Sequence, residues 1–585
     1  MRRFGHHIDA DGRSAFCLFA PQRTDIAVVL PDVPARIELQ SDALGYWTGG
    51  CDRLPEGTRY WIETDGRRFP DIASRRQPGG VHAASAIATP RRVRTPDWKG
   101  VALEDAVIYE LHLGTFTPEG TLEAARGRIG ALSALGVTAI ELLPIAAFPG
   151  RWNWGYDGVY PFALHAGYGS YDELAAYIET AHAHGIAVIL DVVHNHFGPE
   201  GNYTSQFGPY ALAAQTPWGS AINFNREFNH GVRAFFLDNV RYWLQDIGFD
   251  GLRMDAVSMI YDDMPVHILR EMTDLARSIA AQEGREILLI AEHLRSNRFV
   301  TAREGFGFDT QWNDDLPHAI SAFLTGERQR HHANFGSFED VVKAIERGFV
   351  LDGTRFDQYL KCLTGTDGRA TRATEHLVYI QNHDQVGNRP FGDRMIGTYG
   401  RQRALLALTA MFASPYVPML FMGDEYGETA PFLFFEDFGD PALVEGVRAG
   451  RRADYDFGSA EPPDPHAAAT FQASRLNWAL RDLPAGAAML AYCQGLIAAK
   501  RAHRLGPRDR SQLQVSADYQ TQVLRLQTAD TLTVLNFSDQ AQPLGPTEGW
   551  DVLLTYSPLD AAGWLPAHGS MIFARPGTAL PGHAP

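Results

Sequence analysis

At 585 residues the chain exceeds what a single hydrophobic core organises, so two to four domains are expected. Hydrophobic residues at 45% and aromatics at 11% make a globular composition with material for a large core, which excludes extensive disorder. The formal charge of −17 excludes phosphate-rich partners: neither nucleic acid nor an anionic membrane attracts such a chain, and a neutral substrate suits it.

The opening, MRRFGHHIDADGRSAF, has two arginines with no apolar run behind them, so no secretory leader is expected. No window approaches 18 uninterrupted apolar residues, and the cytoplasm is the expected compartment. Short alternating segments (Ser14 to Phe19, Ile26 to Leu30, Tyr60 to Thr64) between Asp-Gly and Pro turns predict a small β-sandwich over residues 1–95. A stretch rich in Pro and Arg, roughly 88 to 103, leads out of it. The cysteines at 17, 51, 362 and 493 form no C-x-x-C pair, so no zinc ribbon is indicated. Buried free thiols are expected in preference to a Cys17–Cys51 bridge.

From about 105 the pattern changes. Apolar runs with strand character recur: VIYELHL (107–113), VTAIELL (137–143), IAVILDVV (186–193), FDGLRMDAV (249–257), ILLIAE (287–292), FDTQW (308–312), HLVYI (376–380) and VPMLFM (417–422). Helices are predicted between them at 121–135, 171–184, 230–246 and 263–283 from apolar residues spaced three and four apart. Eight buried parallel strands alternating with helices predict an α/β fold, a (β/α)8 TIM barrel over 96–505. A doubly wound open sheet is the competing architecture, weakened because no G-x-G-x-x-G follows the first strand. From 506 to 585 the runs TQVLRLQT, TLTVLNFSD, GWDVLLTY and SMIFARP predict a C-terminal antiparallel β domain.

Active sites of such barrels lie at the C-terminal ends of the strands, and several runs end in polar residues. The third ends in Asp191 to His196. Arg253 and Asp255 interrupt the fourth. Glu292 closes the fifth, and Asn382-His383-Asp384 follows the seventh. Residues two apart on a strand face the same side, so Arg253 should lower the pKa of Asp255 and keep it ionised. Glu292, at the end of ILLIA, should stay protonated. Two carboxyls pushed in opposite directions are what glycoside hydrolysis needs: one attacks the anomeric carbon while the other protonates the departing oxygen, about 5–5.5 Å apart in retaining enzymes. Taken alone, Asp255 reads more readily as a helix N-cap, and Asp191 as a structural carboxylate. His194, Asn195 and His196 lack the spacing of a metal motif, so neither metal nor cofactor is expected. A serine hydrolase is disfavoured by the absence of G-x-S-x-G.

DVVHNH (191–196), GLRMDAV (251–257), AEH (291–293) and QNHDQ (381–385) have the order and spacing of the four signature regions of the α-amylase superfamily, which the chain resembles. The resemblance implies Asp255 as nucleophile, Glu292 as general acid/base and Asp384 as transition-state stabiliser. It places His196, Arg253 and His383 around the sugar at the cleaved bond, Tyr156 stacked on its ring, and Asp191 and Asn195 as supports behind. FPGRWNWGYDGVYPF (148–162), FDTQWNDDLPHAISAFLTGER (308–328) and HDQVGNRPFGDR (383–394) are similar to the maltooligosyltrehalose trehalohydrolase family, and GTRYWIETDGRRFPDIASRRQPGGVH (57–82) to that family's β-sandwich.

This second resemblance implies cleavage of the α-1,4 bond beside a terminal trehalose, with Ser258, Asp314, Asp315, His318, Gln385 and Asn388 among the substrate contacts. Residues 314–318 read DDLPH where that family usually has DDFHH, one imidazole fewer, and the run His293 to Asn297 is less acidic and amide-rich than usual. The alternatives are a glycogen branching or debranching enzyme of the same superfamily, or a non-catalytic α-glucan-binding protein.

Overall fold

Eight short strands with continuous apolar runs cannot leave a face in water, and the chain resolves this by closing them on themselves. In the computed structural model, which describes residues 2–33, 35–93, 95–454, 460–502 and 505–577, the closed parallel barrel comprises β1 (Ile108–Leu111), β2 (Ala139–Leu142), β3 (Ala187–Val192), β4 (Gly251–Met254), β5 (Leu288–Ala291), β6 (Thr310–Trp312), β7 (His376–Val378) and β8 (Val417–Phe421), in chain order, with β8 pairing back to β1. Each predicted run supplies one strand. At Gly251 the β4 backbone approaches β5 so closely that a Cβ would lie 2.4 Å from the Leu288 carbonyl oxygen, a spacing only glycine accepts.

The helices depart from the reading in ways local chemistry explains. The segment 121–135 forms two helices, Leu122–Arg126 and Ile129–Leu135, broken at Gly127. The predicted 230–246 helix is Asn229–Arg241 followed by a π-helical stretch, Tyr242–Ile247, which Gly248 ends with φ 107°. The next helix starts at Ile268 rather than 263. Pro265 disfavours helix before it, and the Asp262 carboxylate accepts the Ile268 N–H at 2.6 Å.

The N-terminal strands form two antiparallel sheets, one ordered 5–8, 14–19, 46–51, 40–41 and the other 35–38, 27–30, 59–64, 67–69. Cys17 lies opposite Thr48, and Cys51 opposite Ser14. The register therefore separates the two thiols, and all four cysteines are free: Cys17 and Cys493 buried, Cys51 and Cys362 half-buried. The Pro- and Arg-rich stretch is a clasp rather than a loose linker. Trp98 stacks on His182 at 4.3 Å and donates to Asp250 at 2.8 Å, while Trp98, Val101 and Leu103 pack on the apolar floor of the barrel. The C-terminal strands make a five-stranded antiparallel sheet, including Gln514–Asp518, a strand the sequence reading did not separate.

Candidate active site

Along each strand the inward residues recur every second position, and their chemistry changes with height. The floor is apolar, with Ile108, Ala139, Ile189, Leu288 and Ile290 among its members. One step toward the C-terminal ends, on the same faces, stand Glu110, Glu141 and Asp191, with Arg253 beside Asp191 in the β3–β4 register. Burying such groups is costly unless they bond one another: Asp191 and Arg253 do, whereas both Glu141 oxygens lack a partner among the described residues and burial raises its pKa well above the ordinary value.

Arg253 is their centre. It is 1% exposed, and its guanidinium lies 4.1 Å from the Trp312 ring centroid. Nη1 donates to Asp191 Oδ2 at 2.7 Å and to Asp255 Oδ1 at 2.9 Å; Nη2 donates to Glu292 Oε2 at 2.8 Å. One planar cation thus holds Asp255 and Glu292 facing the same space. Asn195 Nδ2 donates to Asp255 Oδ2 at 2.7 Å, and the Ala256 N–H to Glu292 Oε2 at 2.9 Å. Burial raises the Glu292 pKa to about 7, against the pull of Arg253 and with help from the Asp255 charge. Asp255 corrects the sequence expectation. Burial and the neighbouring Asp191 outweigh Arg253 and Asn195, so its pKa is raised above the ordinary carboxylate value rather than lowered.

Asp384 enters from the short helix His383–Gly387, whose N-cap Asn382 accepts the Gln385 N–H at 2.8 Å. His383 is anchored from below: Glu110 accepts its backbone N–H at 2.9 Å and pairs with Nδ1 at 2.5 Å. Burial pulls the imidazole toward neutrality, but Glu110, with Asp384, reverses this and raises its pKa. Burial also raises Asp384, offset by His383.

The other predicted residues divide. Tyr156 stacks on His383 at 5.1 Å and donates to Asp191 at 2.7 Å. His196 bonds the Asn195 side-chain oxygen at 2.5 Å and stacks with Trp218, 52% exposed on the hairpin after β3. Ser258 lies in the turn Val257–Met259 after β4, half-buried. Asp314 accepts from Tyr379 at 2.6 Å and from Gln385 Nε2 at 3.2 Å. Asn388 Nδ2 donates to Asp384 Oδ1 at 2.5 Å. Asp315 is not brought into this cluster: it is 4% exposed, and its Oδ2 accepts the Val350 and Leu351 N–H groups at 2.7 and 2.9 Å. His318 lies parallel to His331 at 5.5 Å and edge-on to His332 at 5.2 Å. The turn Arg330–Asn334 therefore brings two further imidazoles beside the DDLPH segment.

The sequence reading missed Glu110, Trp312, Tyr379, Trp218 and His331. Glu110 interrupts an apolar run as Asp191 does, though within the alternating VIYELHL it is the weaker signal. The others lacked a comparable signal. No group of three or more histidine, cysteine or acidic side chains among the described residues is arranged to hold a metal ion. No helix among them is long and apolar enough to cross a membrane.

A closed barrel with three carboxyls, an arginine and two imidazoles gathered at the C-terminal ends of its strands defines a glycoside hydrolase of the α-amylase type. The family model "Alpha amylase, catalytic domain" matches residues 79–218 and 220–478, and the chain belongs to that family. Malto-oligosyltrehalose trehalohydrolase from Saccharolobus solfataricus is 42% identical over 82% of this chain and 84% of that one, and the enzyme of the same name from Arthrobacter ramosus is 39% identical over 83% and 87%. A crystal structure of a putative α-amylase from Salmonella typhimurium superimposes with a TM-score of 0.90 at 34% identity, covering 98% of this chain and all of the other. Within the α-amylases, the chain belongs to the malto-oligosyltrehalose trehalohydrolase family.

Proposed function

We propose that the chain is a retaining hydrolase that cleaves the α-1,4 bond joining a maltooligosyl chain to a terminal trehalose, and that Asp255, Glu292 and Asp384 carry the chemistry. The observation that supports this best is the single guanidinium shared by Asp255 and Glu292, which holds two carboxyls on one side of a buried cation, with the Glu292 pKa raised to about 7 by burial. Asp255 attacks the anomeric carbon of the maltooligosyl end while Glu292 gives its proton to the departing oxygen, so trehalose leaves first. Glu292, now a carboxylate, takes a proton from water, which displaces Asp255 and frees the maltooligosaccharide with its α configuration retained. Asp384 faces the positive charge that develops on the sugar ring, and Tyr156 and His383 offer stacked rings beneath it.

The division at residues 95/96 and 505/506 into sandwich, barrel and C-terminal β domain belongs to the same proposal. The rim carries exposed apolar side chains (Trp218, Tyr261, Leu294, Tyr359 and Phe391) on loops after β3 to β7, suited to the flat faces of a glucan. The test is product analysis on maltooligosyltrehalose beside a plain maltooligosaccharide of similar length. Trehalose release without new α-1,6 branches in amylose is expected. Branch formation with no trehalose would replace this reading with a branching enzyme.

A further inference from the structure

The helix Pro441–Asp454, in the excursion after β8, buries only Val444, so apolar packing does not account for its place. Arg451 ties it to the active site. Arg451 Nη2 donates to the Gly387 carbonyl at 2.8 Å, and Nη1 to Asn388 Oδ1 at 3.1 Å. Gly387 ends the helix that carries His383 and Asp384, and Asn388 donates to Asp384 Oδ1 at 2.5 Å. The same guanidinium lies 5.2 Å from the Phe434 ring centroid; Phe434 packs on Trp154 at 5.0 Å, and Trp154 meets His383 edge-on at 5.4 Å.

An amide side chain fits its site about equally well in two orientations, and its hydrogen-bond partners decide between them. A guanidinium has donors and no acceptor. Arg451 therefore requires the Asn388 oxygen on its own side and turns the NH2 group toward Asp384. The reverse orientation would set an amide oxygen against a carboxylate and an NH2 against a cation, two repulsions. The cation also favours the carbonyl end of the helix it grips.

We infer that Arg451 is a positioning residue for Asp384: it locks the Asn388 amide, so that Asp384 Oδ1 is held and Oδ2 is presented to the sugar. This rests on the proposed role of Asp384. If Asp384 acts mainly in the transition state, losing its support lowers kcat and leaves KM nearly unchanged.

The experiment measures trehalose release by Arg451→Ala, Arg451→Met, Asn388→Ala, the double variant Arg451→Ala/Asn388→Ala, and Asp384→Asn. Arg451→Met keeps the stem against Phe434 and guards against loss of folding, checked by circular dichroism. A kcat loss of about tenfold is expected in each Arg451 variant with KM within about threefold. The double variant should be no slower than Asn388→Ala, because both act through one amide. Added guanidinium should restore part of the Arg451→Ala loss and none of the Asn388→Ala loss. Unchanged kcat in folded Arg451 variants, multiplying losses in the double variant, or no rescue would each overturn the inference. An active Asp384→Asn enzyme would instead overturn the role of Asp384 itself.

Discussion

Glu292→Gln tests the central electrostatic argument, because activity and stability should move in opposite directions. Glu292 Oε2 alone accepts both Arg253 Nη2 and the Ala256 N–H. The single oxygen of a glutamine can accept both, so the substitution removes the ionisable proton and little else. Without an acid for the leaving oxygen, kcat should fall by about 10²- to 10⁴-fold. Stability follows from burial, which lifts the carboxyl from its ordinary 4.5 to about 7. Between those values the folded chain binds more protons at this site than the unfolded one, so stability declines as pH rises through the window. At about 1.4 kcal/mol per pH unit, the cost above pH 7 approaches about 3 kcal/mol, reduced by screening at its partly exposed edge. Glutamine carries no such cost. Unfolding midpoints of both proteins at pH 5 and pH 8, at one ionic strength, should show the variant's advantage widening at the higher pH. A gap that stays constant or closes would refute the reasoning, as would a wild-type kcat/KM that does not decline above pH 7.

Arg253→Lys keeps the charge but cannot span Asp191, Asp255 and Glu292, so kcat should drop by about 10²-fold or more; near-normal turnover would show that the bridging geometry is dispensable. Asp255→Gly should be inactive, and azide entering the vacated position should restore turnover and give a β-glycosyl azide, the configuration inverted because only one displacement occurs. An α product, or no dependence on azide, would count against Asp255 as nucleophile. Trp98→Ala removes a ring half-buried under the barrel floor and should destabilise by about 2 kcal/mol while kcat stays within about twofold, since this end of the barrel does no chemistry. A large kcat loss with little change in stability would contradict that separation.

The barrel was legible in the sequence because buried parallel strands read as unbroken apolar runs, against which Asp191, Arg253 and Glu292 stand out. Glu110 stands out less, since in VIYELHL it reads as the polar half of an alternating strand. Its meaning depends on His383, 273 residues further on. The acidity of Asp255 was misread for a similar reason. Sequence showed the adjacent cation but not the depth of burial, which depends on residues far apart in the chain. Asp314 and Asp315 illustrate a finer limit. They are neighbours at a helix start, and successive helical residues point about 100° apart. One meets Tyr379 and Gln385, while the other ties down the backbone at 350–351. Nothing in the pair DD tells which is which. Arg451 is harder still, lying in an arginine-rich surface helix with no motif around it.

The proposed mechanism needs two carboxyls that differ in protonation although they share one arginine, and the donors around them favour this. Asp255 has a donor on each oxygen, Arg253 on one and Asn195 on the other, so its charged form is supported on both sides. Both donors to Glu292 converge on Oε2. In the proposed mechanism Oε1 is then the oxygen that carries the proton. Ala256 itself takes φ 40°, ψ 50°, a left-handed conformation that costs a residue with a Cβ about 1–2 kcal/mol and turns the chain so that the Val257 N–H reaches the Glu292 carbonyl oxygen at 2.9 Å. That strained turn, directly after Asp255, ties the chain to the backbone of Glu292. A relaxed backbone at Ala256 would give up the Val257–Glu292 bond, while Arg253 would still hold Oε2 and keep the two oxygens of Glu292 distinct.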